Sequence, residues 1–217
     1  MKIEMGESLI YSWLRHEKLC QLVQTNWKVS PFWELENRQE IEDLFVICRN
    51  YFLEKHSFDI SKGCSLEQFL KQAEIDGIGI AYSTEAPYIY AVDVAYHEGG
   101  LNYGGKDETI TKIAQKCIRT ALCLYGYFCM STGEVLFVSP KITPAIETAL
   151  VPLFDEISKL LHDNGLNIKA ILHCNDSFSS EVMYPVVEKA SAVADTSELG
   201  MSKTRVLQSR VAIYRPQ

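Results

Sequence analysis

The chain has no run of about 18 apolar residues, so no segment reads as a membrane-spanning helix. Its first residues, MKIEMGESLI, lack the apolar core and cleavage site of a signal peptide. The expectation is a cytoplasmic protein with no membrane partner. No C-x-x-C pair occurs, and no cysteine has a histidine at zinc spacing. The seven cysteines, Cys20, Cys48, Cys64, Cys117, Cys123, Cys129 and Cys174, are odd in number and suit reduced core positions better than a disulfide framework. Cys174 follows His173, but neighbours on a strand point to opposite faces, so the two make no nucleophile and base pair. Positive charge is also short, with 21 Lys and Arg against 28 Asp and Glu for a net charge of -7. That balance excludes nucleic-acid binding through bulk positive charge. Repeats, low-complexity tracts and linkers are absent.

What remains is a chain of 217 residues with 47% apolar content, enough for one domain with a sizeable core. Its charge is unevenly spread. Residues 31–75 hold nine acids against five bases, whereas the last 17 residues hold Lys203, Arg205, Arg210 and Arg215 and no acid. Those bases suit either phosphate contact or a solvated edge strand or tail.

The organising stretch runs from Glu74 to Met130. Residues 75–82 and 88–96 are rich in Ile, Val, Tyr and Ala, and the Ser83-Thr84-Glu85-Ala86-Pro87 break between them carries turn residues, which predicts an antiparallel hairpin. Asp76 and Asp93 are anomalies there. An acid in an apolar strand is costly to bury unpaired, so two on paired strands call for a shared compensating partner. A divalent cation, magnesium or manganese, suits hard oxygen ligands.

Apolar spacing predicts a helix over 5–24, with Glu7 in its first turn, where a carboxylate either stabilises the helix end or serves a site. Residues 24–33 read as strand or loop, with Trp27 and Trp33 as core plugs. Helices are expected over 40–54 and 65–71, the latter capped by Ser65. The glycine loop Glu98–Gly105 matches neither G-x-G-x-x-G nor a Walker pattern, so it supports no nucleotide cradle. A helix opens at Asp107 or Thr109. Its core face is Ile110, Ile113, Ala114, Cys117, Ala121 and Leu124; Lys112, Lys116 and Arg119 form a separate stripe, either solvated surface or a basic rail beside the aspartates. A buried strand over 133–140, a helix from Pro144 to about His162 and a strand over 167–173 follow, the two strands parallel. Residues 177–190 read as helix despite Pro185, and 204–214 as an edge strand.

This order, a helix with Glu7, a strand with Asp76, a strand with Asp93, a helix and a further apolar strand, resembles the PD-(D/E)XK nuclease superfamily. Glu74-Ile75-Asp76 looks like its first acidic element and Asp93-Val94-Ala95 like its second, with Ala95 where the motif lysine belongs. The resemblance implies an α/β, restriction-endonuclease-like fold with a central mixed sheet flanked by helices, residues 1–140 forming the core and 141–217 a continuation with a recognition or dimer surface. It further implies metal-dependent hydrolysis of DNA phosphodiesters, with Asp76 and Asp93 holding Mg2+ or Mn2+, Glu7 as an outer acid, and Lys112 or Lys116 supplying the positive charge from the following helix. Lys106 is a weaker source of that charge, and His97 shares a strand face with Asp93. A homodimer is a further implication. Two other readings compete: a catalytically inactive nuclease-like module that binds nucleic acid or protein, and an unrelated α/β domain whose aspartates are caps or turn formers.

Overall fold

In the computed structural model, which describes residues 2–82, 86–96, 100–101 and 103–192, five strands form one mixed sheet with helices on both faces. In chain order the elements are α1 (Lys2–His16), β1 (Leu22–Lys28), α2 (Arg38–His56), α3 (Leu66–Lys71), β2 (Glu74–Tyr82), β3 (Pro87–Val94), α4 (Lys106–Phe128), β4 (Thr132–Ser139), α5 (Pro144–Asp163) and β5 (Asn167–Cys174). A helical run, α6 (Asn175–Phe178), a π turn (Ser179–Met183) and α7 (Tyr184–Ala192), completes them. The sheet order is β1-β2-β3-β4-β5. β1, β2 and β3 pair antiparallel, as a meander that needs only short turns; β3, β4 and β5 pair parallel, joined by α4 and α5.

One face carries α2, α3, α4 and α5, whose apolar residues close over Ile78, Ala91, Val135, Phe137 and Ile168. The other carries α1 and the C-terminal helical run, packed on Val92, Leu136 and Val138. The alternation along β3, Ala91 to one face and Val92 to the other, is the period of two expected of a strand covered on both sides. α1 lies on the sheet directly. A methyl group at Gly77 would sit 2.7 Å from Ile10 Cγ2, and one at Gly79 would sit 2.7 Å from Cys20 Sγ. The Gly-Ile-Gly-Ile pattern of β2 therefore clears one face for α1 while sending Ile78 into the opposite core.

The hairpin, the α3 cap and the parallel β4 and β5 follow the sequence expectations; Ser65 accepts from Gln68 N at 3.3 Å and Gln68 returns the bond, a reciprocal capping box. The first helix differs. It stops at His16, not 24, because residues 22–28 pair with β2 from Ile80 to Glu74, and a ladder of backbone bonds overrides the helical spacing that runs on to Cys20. All seven cysteines are free thiols; Cys20, Cys48, Cys117, Cys123 and Cys174 are buried. His173 packs edge-on against Trp13 of α1, while Cys174 faces Glu147 of α5 from the other side of the sheet. The 204–214 strand and the four C-terminal bases lie outside the described residues. No helix among the described residues is long and apolar enough to cross a membrane.

Candidate active site

The β2–β3 ladder ends at Gly77 opposite Val92. One step further, the register sets Asp76 across from Asp93. This end of the sheet is also the C-terminal end of the parallel strands, the edge where open α/β sheets place their ligands. Asp93 is 2% exposed, and its carboxylate is answered from α4. Lys116 Nζ donates to Oδ1 at 2.7 Å, and Thr120 Oγ1, one helical turn on, approaches Oδ2 at 3.5 Å. Among the described residues, Asp76 has no side-chain donor of this kind. Its Oδ2 accepts from the Val94 backbone N–H at 2.7 Å. Burial, reinforced by the charge of Asp93 and to a smaller degree Glu7, pushes its carboxyl up to about 6 against the opposing pull of that N–H and of Lys116. Burial works against the Lys116 ammonium, but the two aspartates outweigh it and hold its pKa above the ordinary lysine value.

Glu7 arrives from the opposite face. It lies well past the first turn of α1, so it is not a helix-end carboxylate; its Oε2 accepts from Asn26 Nδ2 of β1 at 2.9 Å. Gly6 lets this part of α1 settle on the end of β3, since a methyl there would lie 3.1 Å from Tyr96 Cβ and 3.2 Å from Val94 Cγ2. Asn26 occupies the ladder position opposite Asp76 and adopts a left-handed φ of 53° between two regular pairs, Thr25 with Gly77 and Trp27 with Ile75. The strands turn over there. Val23 packs on the α1 side, whereas Trp27, four residues on, packs on Tyr127 and Phe128 of α4; in an unbroken strand these two would share a face.

The lysine stripe of α4 divides. Lys116 meets Asp93, whereas Lys112 pairs with Glu108 at 2.8 Å and donates to the Tyr103 carbonyl at 3.0 Å. Arg119 stacks on Phe69 with its guanidinium 4.6 Å from the ring centroid and reaches Gln72, and its Nε is buried without a hydrogen-bond partner among the described residues. Lys106 is exposed at the start of α4. Ala95 is buried, its N–H donating to Val138 O, so the position of the motif lysine is filled by backbone pairing and core. His97 and Glu98 lie outside the described residues.

Two participants escaped the sequence reading. Tyr103, in the glycine loop, donates its N–H to the Thr109 hydroxyl at 3.0 Å, and its half-buried ring lies within electrostatic reach of Lys116, Asp93 and Asp76. Its position as the aromatic residue nearest α4 in a glycine-rich loop was the available signal. Asn26 gave none beyond asparagine's tolerance of left-handed backbone.

No protein-family model, curated protein or solved structure matches the chain. Among the described residues, no three His, Cys, Asp and Glu side chains stand close enough to share one metal ion. Asp76 and Asp93 present hard carboxylate oxygens at this end of β2 and β3, the donor type that suits magnesium or manganese, and Lys116 already neutralises Asp93.

Proposed function

We propose that this protein is a metal-dependent nuclease that hydrolyses DNA phosphodiester bonds, a divergent relative of the PD-(D/E)XK superfamily. The observation that carries the reading is the 2.7 Å contact of Lys116 with Asp93 across from Asp76. It brings a lysine of the following helix to the second acid, in place of the residue that Ala95 does not supply. Asp76 and Asp93 would hold magnesium or manganese, which when bound would supply Lewis-acid stabilisation of the phosphoryl group and acidify a water. The chain's own residues orient and neutralise. Lys116 sets a fixed ammonium beside the position of the phosphoryl oxygens, where charge grows in the transition state. Burial of Asp93 and the half-burial of Tyr103 keep water from screening that charge. Asp76, short of donors, is the acid with the most to gain from a cation.

The test is cleavage of supercoiled plasmid DNA in magnesium or manganese. Wild type nicks or linearises the plasmid, and Asp76→Ala and Asp93→Ala each lower the rate at least about 100-fold while remaining folded. Full activity in either variant would discard the site.

A second reading, a nuclease-like module without catalysis that binds nucleic acid or a protein, draws on one observation: Asp93 already has a cation in Lys116, and no third acid completes a metal group among the described residues. It requires that magnesium and manganese leave the melting temperature of wild type unchanged while DNA or a protein partner raises it.

A further inference from the structure

Asp93 stands at the end of β3, and near the start of the same strand an ammonium is held by aromatic rings instead of an acid. Lys18 follows α1, where its backbone N–H donates to the Trp13 carbonyl at 3.0 Å and that of Cys20 donates to the Leu14 carbonyl at 3.0 Å. This closing turn folds the side chain back over the sheet, with Nζ 4.9 Å from the Trp13 ring centroid and 5.4 Å from that of Tyr90. The walls are fixed from behind. Trp13 Nε1 donates to the Glu181 carbonyl at 2.8 Å, the rings of Tyr88 and Tyr90 lie 5.0 Å apart, and the Tyr88 hydroxyl donates to Glu134 Oε1 at 3.2 Å. Glu134 is the β4 partner of Tyr90 in the ladder, so its carboxylate adds negative charge beside the tyrosine rings.

Lys18 is a poor match for this box. A primary ammonium is strongly hydrated and carries three N–H donors, yet among the described residues no carboxylate or carbonyl accepts from Nζ. Ring faces backed by a carboxylate suit a cation with no donors to satisfy, and a quaternary ammonium is such a cation. We propose that Trp13, Tyr88, Tyr90 and Glu134 form a receptor for a quaternary ammonium group, with Lys18 as the built-in occupant that such a group displaces. The receptor shares no residue with the acidic site, so it stands or falls independently of the nuclease reading.

The test is calorimetric titration of the full chain with choline, with Nε-trimethyllysine and with the neutral isostere of choline that has carbon in place of nitrogen, melting temperatures being recorded for every variant. Choline binds wild type and binds Lys18→Ala about tenfold more tightly, because the competing ammonium is gone, while the neutral isostere binds neither. Adding Tyr90→Leu to Lys18→Ala weakens choline about tenfold by removing a ring face. Adding Glu134→Gln instead keeps an acceptor for Tyr88, removes only the charge and weakens choline severalfold, which gives a second readout if the leucine variant does not fold. Trimethyllysine binding more tightly than choline makes a modified side chain the source of the group, and the reverse makes it a small molecule; either supports the receptor. Choline binding no tighter in Lys18→Ala than in wild type, equal binding of the neutral isostere, or binding undiminished by both added substitutions overturns the inference.

Discussion

Two polar clusters sit at the same edge of the sheet, and they are built on opposite rules. At the ends of β4 and β5, Ser139 donates to the Ala95 carbonyl at 2.9 Å, Asn175 donates to Glu147 at 2.7 Å and accepts from Ile142 N at 2.9 Å, and Cys174 N donates to the Ser177 hydroxyl at 2.9 Å. Each donor there meets an acceptor, and one acid serves two neighbours: Glu147 also takes the Cys174 thiol at 3.5 Å, so the thiol is pushed up to about 12 by burial and by that carboxylate. At the ends of β2 and β3, Lys116 answers Asp93, whereas burial and the charges of Asp93 and Glu7 leave Asp76 with the excess. The first cluster closes the α5 and α6 connections. The second is left electrically unfinished, and an unfinished site is where a ligand has something to contribute.

The sharpest way to break this contrast is to unpair Asp93. Lys116→Met leaves a carboxylate that is 3% exposed without its cation and costs about 3 kcal/mol, the lower end of the range for orphaning a buried charge, because Lys116 itself keeps 36% of its side-chain surface. Adding Asp93→Asn to that variant recovers most of the loss; chemical denaturation of the two variants checks both statements. Recovery of nothing would mean that packing, not charge, is what Lys116 supplies.

Asp76→Asn acts with the opposite sign. Because its folded-state pKa is raised to about 6, the folded protein holds the proton more tightly than the unfolded chain, so ionisation of Asp76 removes stability as pH climbs from about 4 through about 6. The asparagine variant should match wild type near pH 4 and exceed it by about 2 kcal/mol at pH 7, allowing for solvent screening at a group that is not fully buried. Melting curves at the two pH values measure it, and an equal difference at both would sink the assignment of unrelieved charge.

The smallest effect belongs to the finished cluster. Asn175→Gly keeps the left-handed φ of 53° and removes only the amide, costing about 1 kcal/mol for the lost hydrogen bonds. Manganese affinity should not move. A loss of affinity there would erase the distinction between the two clusters.

Much of the layout was legible because local chemistry and tertiary structure agree. Asp76 and Asp93 stood out as acids in apolar strands, Ser65 announced a capped helix, and Pro144 marked the start of α5. The end of α1 was not legible, since Cys20 continues the helical spacing of Leu9 and Trp13, which only the pairing of β1 with Gly79 and Ile80 contradicts. Nor was the choice among Lys112, Lys116 and Arg119. Spacing places all three on one stripe, but the rotation of α4 over the sheet decides which cation meets Asp93, and the loop before it, through Tyr103, claims Lys112.

The order of elements, the apolar faces and the two anomalous acids belong to the sequence, because periodicity and the cost of burying charge are local properties of the chain. Which groups share a site belongs to the tertiary structure. Register alone sets Asp76 across from Asp93, and only the stacking of α1 on the sheet brings Glu7 within hydrogen-bond reach of Asn26 on β1. Contacts between residues so distant in the chain depend on how the layers stack, and no spacing along one element encodes that.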